Sequence, residues 1–97
     1  PGTGEAMSCQ IVFTESYTRR ATSFLKRHPE LVGAYEKTLL LLEVNPKHPS
    51  LRLHKLKGKL EGLYSISVTL SCRITLSYTI LEGAIVLIDI GSHDQVY

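Results

Sequence analysis

Four histidines, an arginine set among serines and threonines, and three clustered lysines are the residues of this chain with chemistry to offer. His54 stands inside the alternating stretch LRLHKL, and Lys55, Lys57 and Lys59 follow at once. Arg73 opens RITLSY; His93 comes just after Gly91-Ser92, and Tyr97 is the last residue. Cations hold a phosphate, and imidazole moves protons near neutral pH. The set therefore suits a phosphodiester. No His, Cys or carboxylate spacing matches a metal site, so the cleavage these residues fit is metal-free transfer to a ribose 2′-OH, which is specific to RNA. Plainer readings stand beside this one. His28 and His48 each precede a proline and read as solvated loop residues. HKLKGK is equally a solvated basic turn, and Arg73 equally an ion-pair partner of Asp89 or Asp94. Residue types alone leave the choice open.

The element that must position Arg73 is Leu63 to Ile80, LYSISVTLSCRITLSYTI. Tyr64, Ile66, Val68 and Leu70 alternate with Ser65, Ser67 and Thr69; then Ile74, Leu76, Tyr78 and Ile80 alternate with Arg73, Thr75, Ser77 and Thr79. Strand side chains change face at every residue, so each run is a half-buried strand with a dry face and a wet one. A break at Ser71–Cys72 makes them an antiparallel hairpin.

The rest of the chain must cover the dry face. Ser8 to Phe13 reads as a first strand. Thr14 caps a helix in which Tyr17, Ala21, Phe24 and Leu25 recur through Arg27. A second helix starts with Pro29 in its first turn, shows Leu31, Tyr35, Leu39 and Leu42 to the core, and ends by Asn45-Pro46. Leu51 to Leu56 alternates as another strand. Ala84 to Ile90, AIVLIDI, is apolar enough for a strand covered on both sides, and Gly91 lets the chain turn out of it. The expected fold is α+β: one strand, a helical hairpin, then a four-strand antiparallel meander, with the helices on one sheet face. Tyr64, Ile66, Val68, Ile74, Leu76 and Ile88 should pack against Phe24, Leu39 and Leu42.

Length and composition bound the function. Ninety-seven residues with 43% hydrophobic and 21% charged side chains suit one globular domain. PGTGEA, residues 1–6, precedes the sole methionine and reads as a cloning remnant, leaving 7–97 as the domain. Eleven bases against nine acids give a net charge of +2, weak evidence alone for nucleic acid. Cys9 and Cys72 read as buried thiols. No apolar run reaches the ~20 residues of a membrane span, so a cytoplasmic protein without a membrane partner is expected.

HPSLRLHKLKGKLEGLYSISV, then RITLSY, then IDIGSHDQVY resembles the RelE superfamily of toxins from bacterial toxin–antitoxin pairs, most of all the branch of YafQ and the RelE/StbE-type mRNA interferases. The resemblance spans about Phe13 to Tyr97 and is most specific in HKLKGKLEG and IGSHDQVY. It implies an endoribonuclease toxin that enters the ribosomal A site, cuts mRNA there without a cofactor, and is silenced by a cognate antitoxin. By position it implies His54 as a catalytic histidine and His93 as proton donor to the leaving 5′-oxygen. It also implies Arg73 as a phosphate or transition-state contact and Tyr97 as a substrate-positioning aromatic. Lys55, Lys57 and Lys59 become RNA contacts, as do Ser67 and Ser71. Ser67 stands where YafQ has a further histidine, and Ser71 where relatives commonly have aspartate. Those departures keep two alternatives open: a ParE-like DNA gyrase inhibitor, and a catalytically degenerate binding protein of the same fold.

Overall fold

Helix α1, Glu15–Arg27, starts where Thr14 accepts a hydrogen bond from the Tyr17 amide at 3.1 Å, with Glu15 in its first turn and Lys26 and Arg27 in its last. Both charge placements favour the helix dipole. Its inward stripe is Tyr17, Ala21 and Phe24, all buried. A 3-10 turn at Pro29–Leu31 leads into α2, Val32–Val44, whose Leu42 is fully buried while Leu40 and Val44 face solvent. The computed structural model describes residues 10–79 and 83–92. PGTGEA, Cys9, His93 and Tyr97 lie outside the described residues.

Five strands form one sheet: β1 (Gln10–Phe13), β2 (His54–Lys55), β3 (Tyr64–Ser67), β4 (Cys72–Thr79) and β5 (Ala84–Ser92). Their order is β1-β5-β4-β3-β2, antiparallel throughout except that β1 runs parallel to β5. The α+β meander with two helices on one face is the architecture the sequence implies. Ile66, Ile74, Leu76, Ile85, Leu87 and Ile90 pack with Tyr17, Phe24 and Leu42 into the core.

Several local expectations change. The strand expected over Leu51–Leu56 shrinks to two residues. His48 Nδ1 accepts from the Ser50 amide at 3.2 Å, closing a 3-10 turn, Pro49–Leu51, that buries Leu51. Arg52 then takes a left-handed backbone, φ 53°. β3 stops at Ser67 because the amides of Val68 and Thr69 both bond to the Cys72 carbonyl. Leu70, expected on the dry face, is therefore 80% exposed. β5 runs on through Gly91 to Ser92, so Gly91 is a strand residue opposite Arg73 rather than a turn. Only one face of β5 is fully covered: Ile85, Leu87 and Ile90 are buried, while Val86 and Ile88 are half-buried. A bulge is the reason for Ile88. Thr75 pairs with Asp89 but Leu76 with Leu87, leaving Ile88 as the extra residue.

Candidate active site

Residues directly opposite in an antiparallel pair share a face, so the register assigns each side chain its side. His54 pairs with Ser65, Ser65 with Thr75, and Thr75 with Asp89; one rung further, Ser67 pairs with Arg73 and Arg73 with Gly91. These two rungs make the face turned away from the helices. It is less wet than the alternation suggests. Ser65 is 0% exposed and Thr75 3%. Short side chains on inner strands are shaded by longer neighbours on both sides.

His54 is exposed at one end of the first rung. Its Nδ1 lies 2.9 Å from the Arg52 carbonyl oxygen. A carbonyl only accepts, so Nδ1 carries the proton and Nε2 of the neutral ring keeps its lone pair. Arg73 is anchored by donating from Nη1 to Ser67 Oγ at 2.7 Å. Two buried polar atoms here, Arg73 Nε and Thr75 Oγ1, have no hydrogen-bond partner. Two strand spacings and two residues separate His54 from Arg73, a Cα separation of ~12 Å.

The structure brings His54, Arg73 and Ser67 to one face and sends other expected residues elsewhere. Lys55 pairs with Tyr64, so it lies on the opposite face from its neighbour His54. With Lys57 it lines a cleft of about 610 Å³ floored by Tyr64 and Tyr78. Lys59 is exposed on the 3-10 turn Gly58–Leu60. Ser71 lines a recess on the helix side with Phe24, His28 and Cys72. Asp89 is not the partner of Arg73. Arg20 takes it, Nε to Oδ1 at 3.3 Å, and also donates to the Ile88 carbonyl. His28 and His48 are not simply solvated: His28 stacks on Phe24 at 4.6 Å beside Glu30, and His48 caps the turn already described. Cys72 is buried, and burial pushes its thiol up to about 11. Tyr17 and Tyr35, whose hydroxyls meet at 3.0 Å, are both raised above the usual phenol value, chiefly by burial. Among the described residues no group of three His, Cys, Asp or Glu side chains could hold a metal. Thr75 joins the site without a mark in the sequence, because its burial depends on strand pairing rather than on its own alternation.

In sequence, no protein-family model and no curated protein matches the chain. Solved structures do. YafQ from the E. coli DinJ–YafQ toxin–antitoxin complex superposes with TM-score 0.72 at 17% identity, over 93% of this chain and 98% of YafQ. This is the RelE-like toxin fold. A copper-bound mutant toxin from Helicobacter pylori shares it (TM-score 0.71, 17% identity, 92% of this chain and 99% of that one). So does the YoeB/ParE toxin of Agrobacterium tumefaciens (0.66, 17%, 87% and 98%). Within the RelE-like fold of this chain, no helix among the described residues is long and apolar enough to cross a membrane.

Proposed function

We propose that this chain is the toxin of a bacterial toxin–antitoxin pair and cuts mRNA in the ribosomal A site. The observation that carries the proposal is the placement of His54 and Arg73 on one sheet face. His54 is exposed with its Nδ1 proton committed to Arg52, and Arg73 is held by Ser67. His54 Nε2 takes the proton of a ribose 2′-OH, whose oxygen attacks the adjacent phosphorus. The 5′-oxygen leaves with a proton from His93, giving a 2′,3′-cyclic phosphate. Arg73 neutralises charge growing on the phosphoryl oxygens. Ser67, a departure from the YafQ pattern, gains a role here in orienting Arg73. Lys55, Lys57 and Lys59 supply attraction to RNA, and Tyr97 positions the base. The protein partner is an antitoxin; the DinJ–YafQ complex, built on the same fold, supports that assignment.

The test is single-turnover cleavage of a defined mRNA on saturated ribosomes, which isolates chemistry from binding. His54→Gln and His93→Gln should each slow cutting at least ~100-fold, while His28→Gln cuts at the parent rate. A parent protein that leaves mRNA intact but blocks DNA gyrase supercoiling is instead the ParE-like inhibitor. One that does neither is a binding protein of this fold.

A further inference from the structure

The cleft behind His54 has features that RNA cutting does not use. Its floor is Leu56, Leu63, Tyr64 and Tyr78, and its rim carries Lys55, Lys57 and Glu61. The tyrosine rings meet edge to face, centroids 5.9 Å apart at 80°, and both pack against the core. The rim is preformed: the Leu56 amide bonds to the Leu63 carbonyl at 2.9 Å, and the loop between closes through Gly58 and Gly62, both at positive φ. At about 610 Å³ the cleft falls within the usual size of a small-ligand pocket and holds a few side chains.

We propose that this cleft is the docking site for an acidic, amphipathic segment of the partner protein, seating one apolar side chain over Tyr64 and Tyr78 and its flanking carboxylates on Lys55 and Lys57. Charge and polarity select that occupant: Lys55 and Lys57 attract carboxylates, and the floor is apolar, which suits an aliphatic or aromatic anchor more than a ribose-phosphate. The docking reading rests on the proposed antitoxin partner and adds where that partner grips. Because Lys55 and Lys57 also attract RNA, the acidic segment and RNA compete for the same cations without the segment covering His54.

The test is a 1H–15N titration of the full chain with three probes. These are acetyl-Glu-Asp-Phe-Glu-Asp-amide, the same peptide with Ala in place of Phe, and a six-nucleotide oligouridylate. The expected result is that the Phe peptide shifts the amides of Lys55, Lys57, Gly58, Gly62, Tyr64 and Tyr78 and binds at least tenfold more tightly than the Ala peptide. Lys55→Glu combined with Lys57→Glu should abolish that binding; both residues are exposed, so the rest of the spectrum should stay in place. Equal affinity of the two peptides would overturn the proposal by showing attraction to the lysines alone. Oligouridylate moving these amides while the peptides do not would give the cleft to nucleic acid. Shifts confined to other residues, or none, would also overturn it. The readout needs no ribosome and no cutting, so its failure leaves the nuclease reading standing. A chain that binds the peptide but spares mRNA has the opposite outcome.

Discussion

On one side of the β3–β4 hairpin, Ser65, Ser67, Arg73 and Thr75 line up behind His54; on the other, Tyr64 and Tyr78 meet below Lys55. The two sides share a backbone and differ by one residue of phase. Strand alternation lets a small protein carry a polar, charge-handling face and an apolar, partner-seating face on the same few residues. The first face is built by anchoring: a carbonyl fixes the imidazole and a serine hydroxyl fixes the guanidinium. The second is built by packing, ring on ring against the core.

Mutation can collapse this two-sidedness, most severely at His54. His54→Gln should lower cleavage ~10²–10⁴-fold, whereas Tyr78→Phe, which keeps the ring, should leave the rate unchanged. Equal losses in single-turnover assays would mean that the two faces act as one site. Next in size, Ile74→Ala should cost ~2–5 kcal/mol in a denaturant melt. Ile74 is fully buried between Ile66 and Ile90 on the strand that serves both faces. A loss within error would mean that the core sits elsewhere. Ser67→Ala should slow cutting about tenfold, since a hydrogen bond to a charged group is worth ~1.5–3 kcal/mol. Ser67→Thr should restore it, and no change in the alanine variant would leave Ser67 without its orienting role.

Smaller effects test the division of labour further. Alanine at Lys55, Lys57 and Lys59 together should flatten the dependence of log ribosome affinity on log salt by up to ~2, at ~0.7 for each phosphate left unneutralised. An unchanged slope would make the lysines serve the protein partner only. Alkaline pH probes the β4 end of the hairpin. The Cys72 thiol ionises near 9 when unfolded and near 11 when buried. The unfolded chain therefore loses its proton first, and stability is full below pH 9 and falls as pH rises from about 9 to 11. Cys72→Ala should remove that part of the alkaline decline, measured as the midpoint of urea unfolding against pH.

The helices were legible because their signals are local: the Thr14 cap, the Tyr17–Ala21–Phe24 stripe and Pro29 each act within a turn. The β3–β4 hairpin followed from alternation, and β5 from its apolar run. Three things were not legible. LRLHKL alternates like a strand, yet side-chain bonding from His48 closes a turn that takes Leu51 first. The parallel pairing of β1 with β5 joins segments far apart in the chain, with no local mark on either. At the candidate site, His54 and Arg73 could be named from residue type and resemblance, and Ser67 from its departure from the pattern. That Lys55 and Lys57 belong to another face, and Ser71 to a third surface, follows only from register and packing.

The bulge at Ile88 sets the parity of everything after it on β5. Before it the odd-numbered residues, Ile85 and Leu87, point into the core; after it the even-numbered Ile90 does. Were the same residues strung in strict alternation, Asp89 would point into the core, and Ile90 rather than bare Gly91 would lie on the side of Arg73. Ile88 is thus a spare link in the strand, clasped from α1 by Arg20 through its carbonyl and through Asp89. Removing it would let Leu87 and Asp89 follow one another in regular register, opposite the Leu76 and Thr75 they already face. This is the place where β5 can change its length by one residue without exchanging inside for outside.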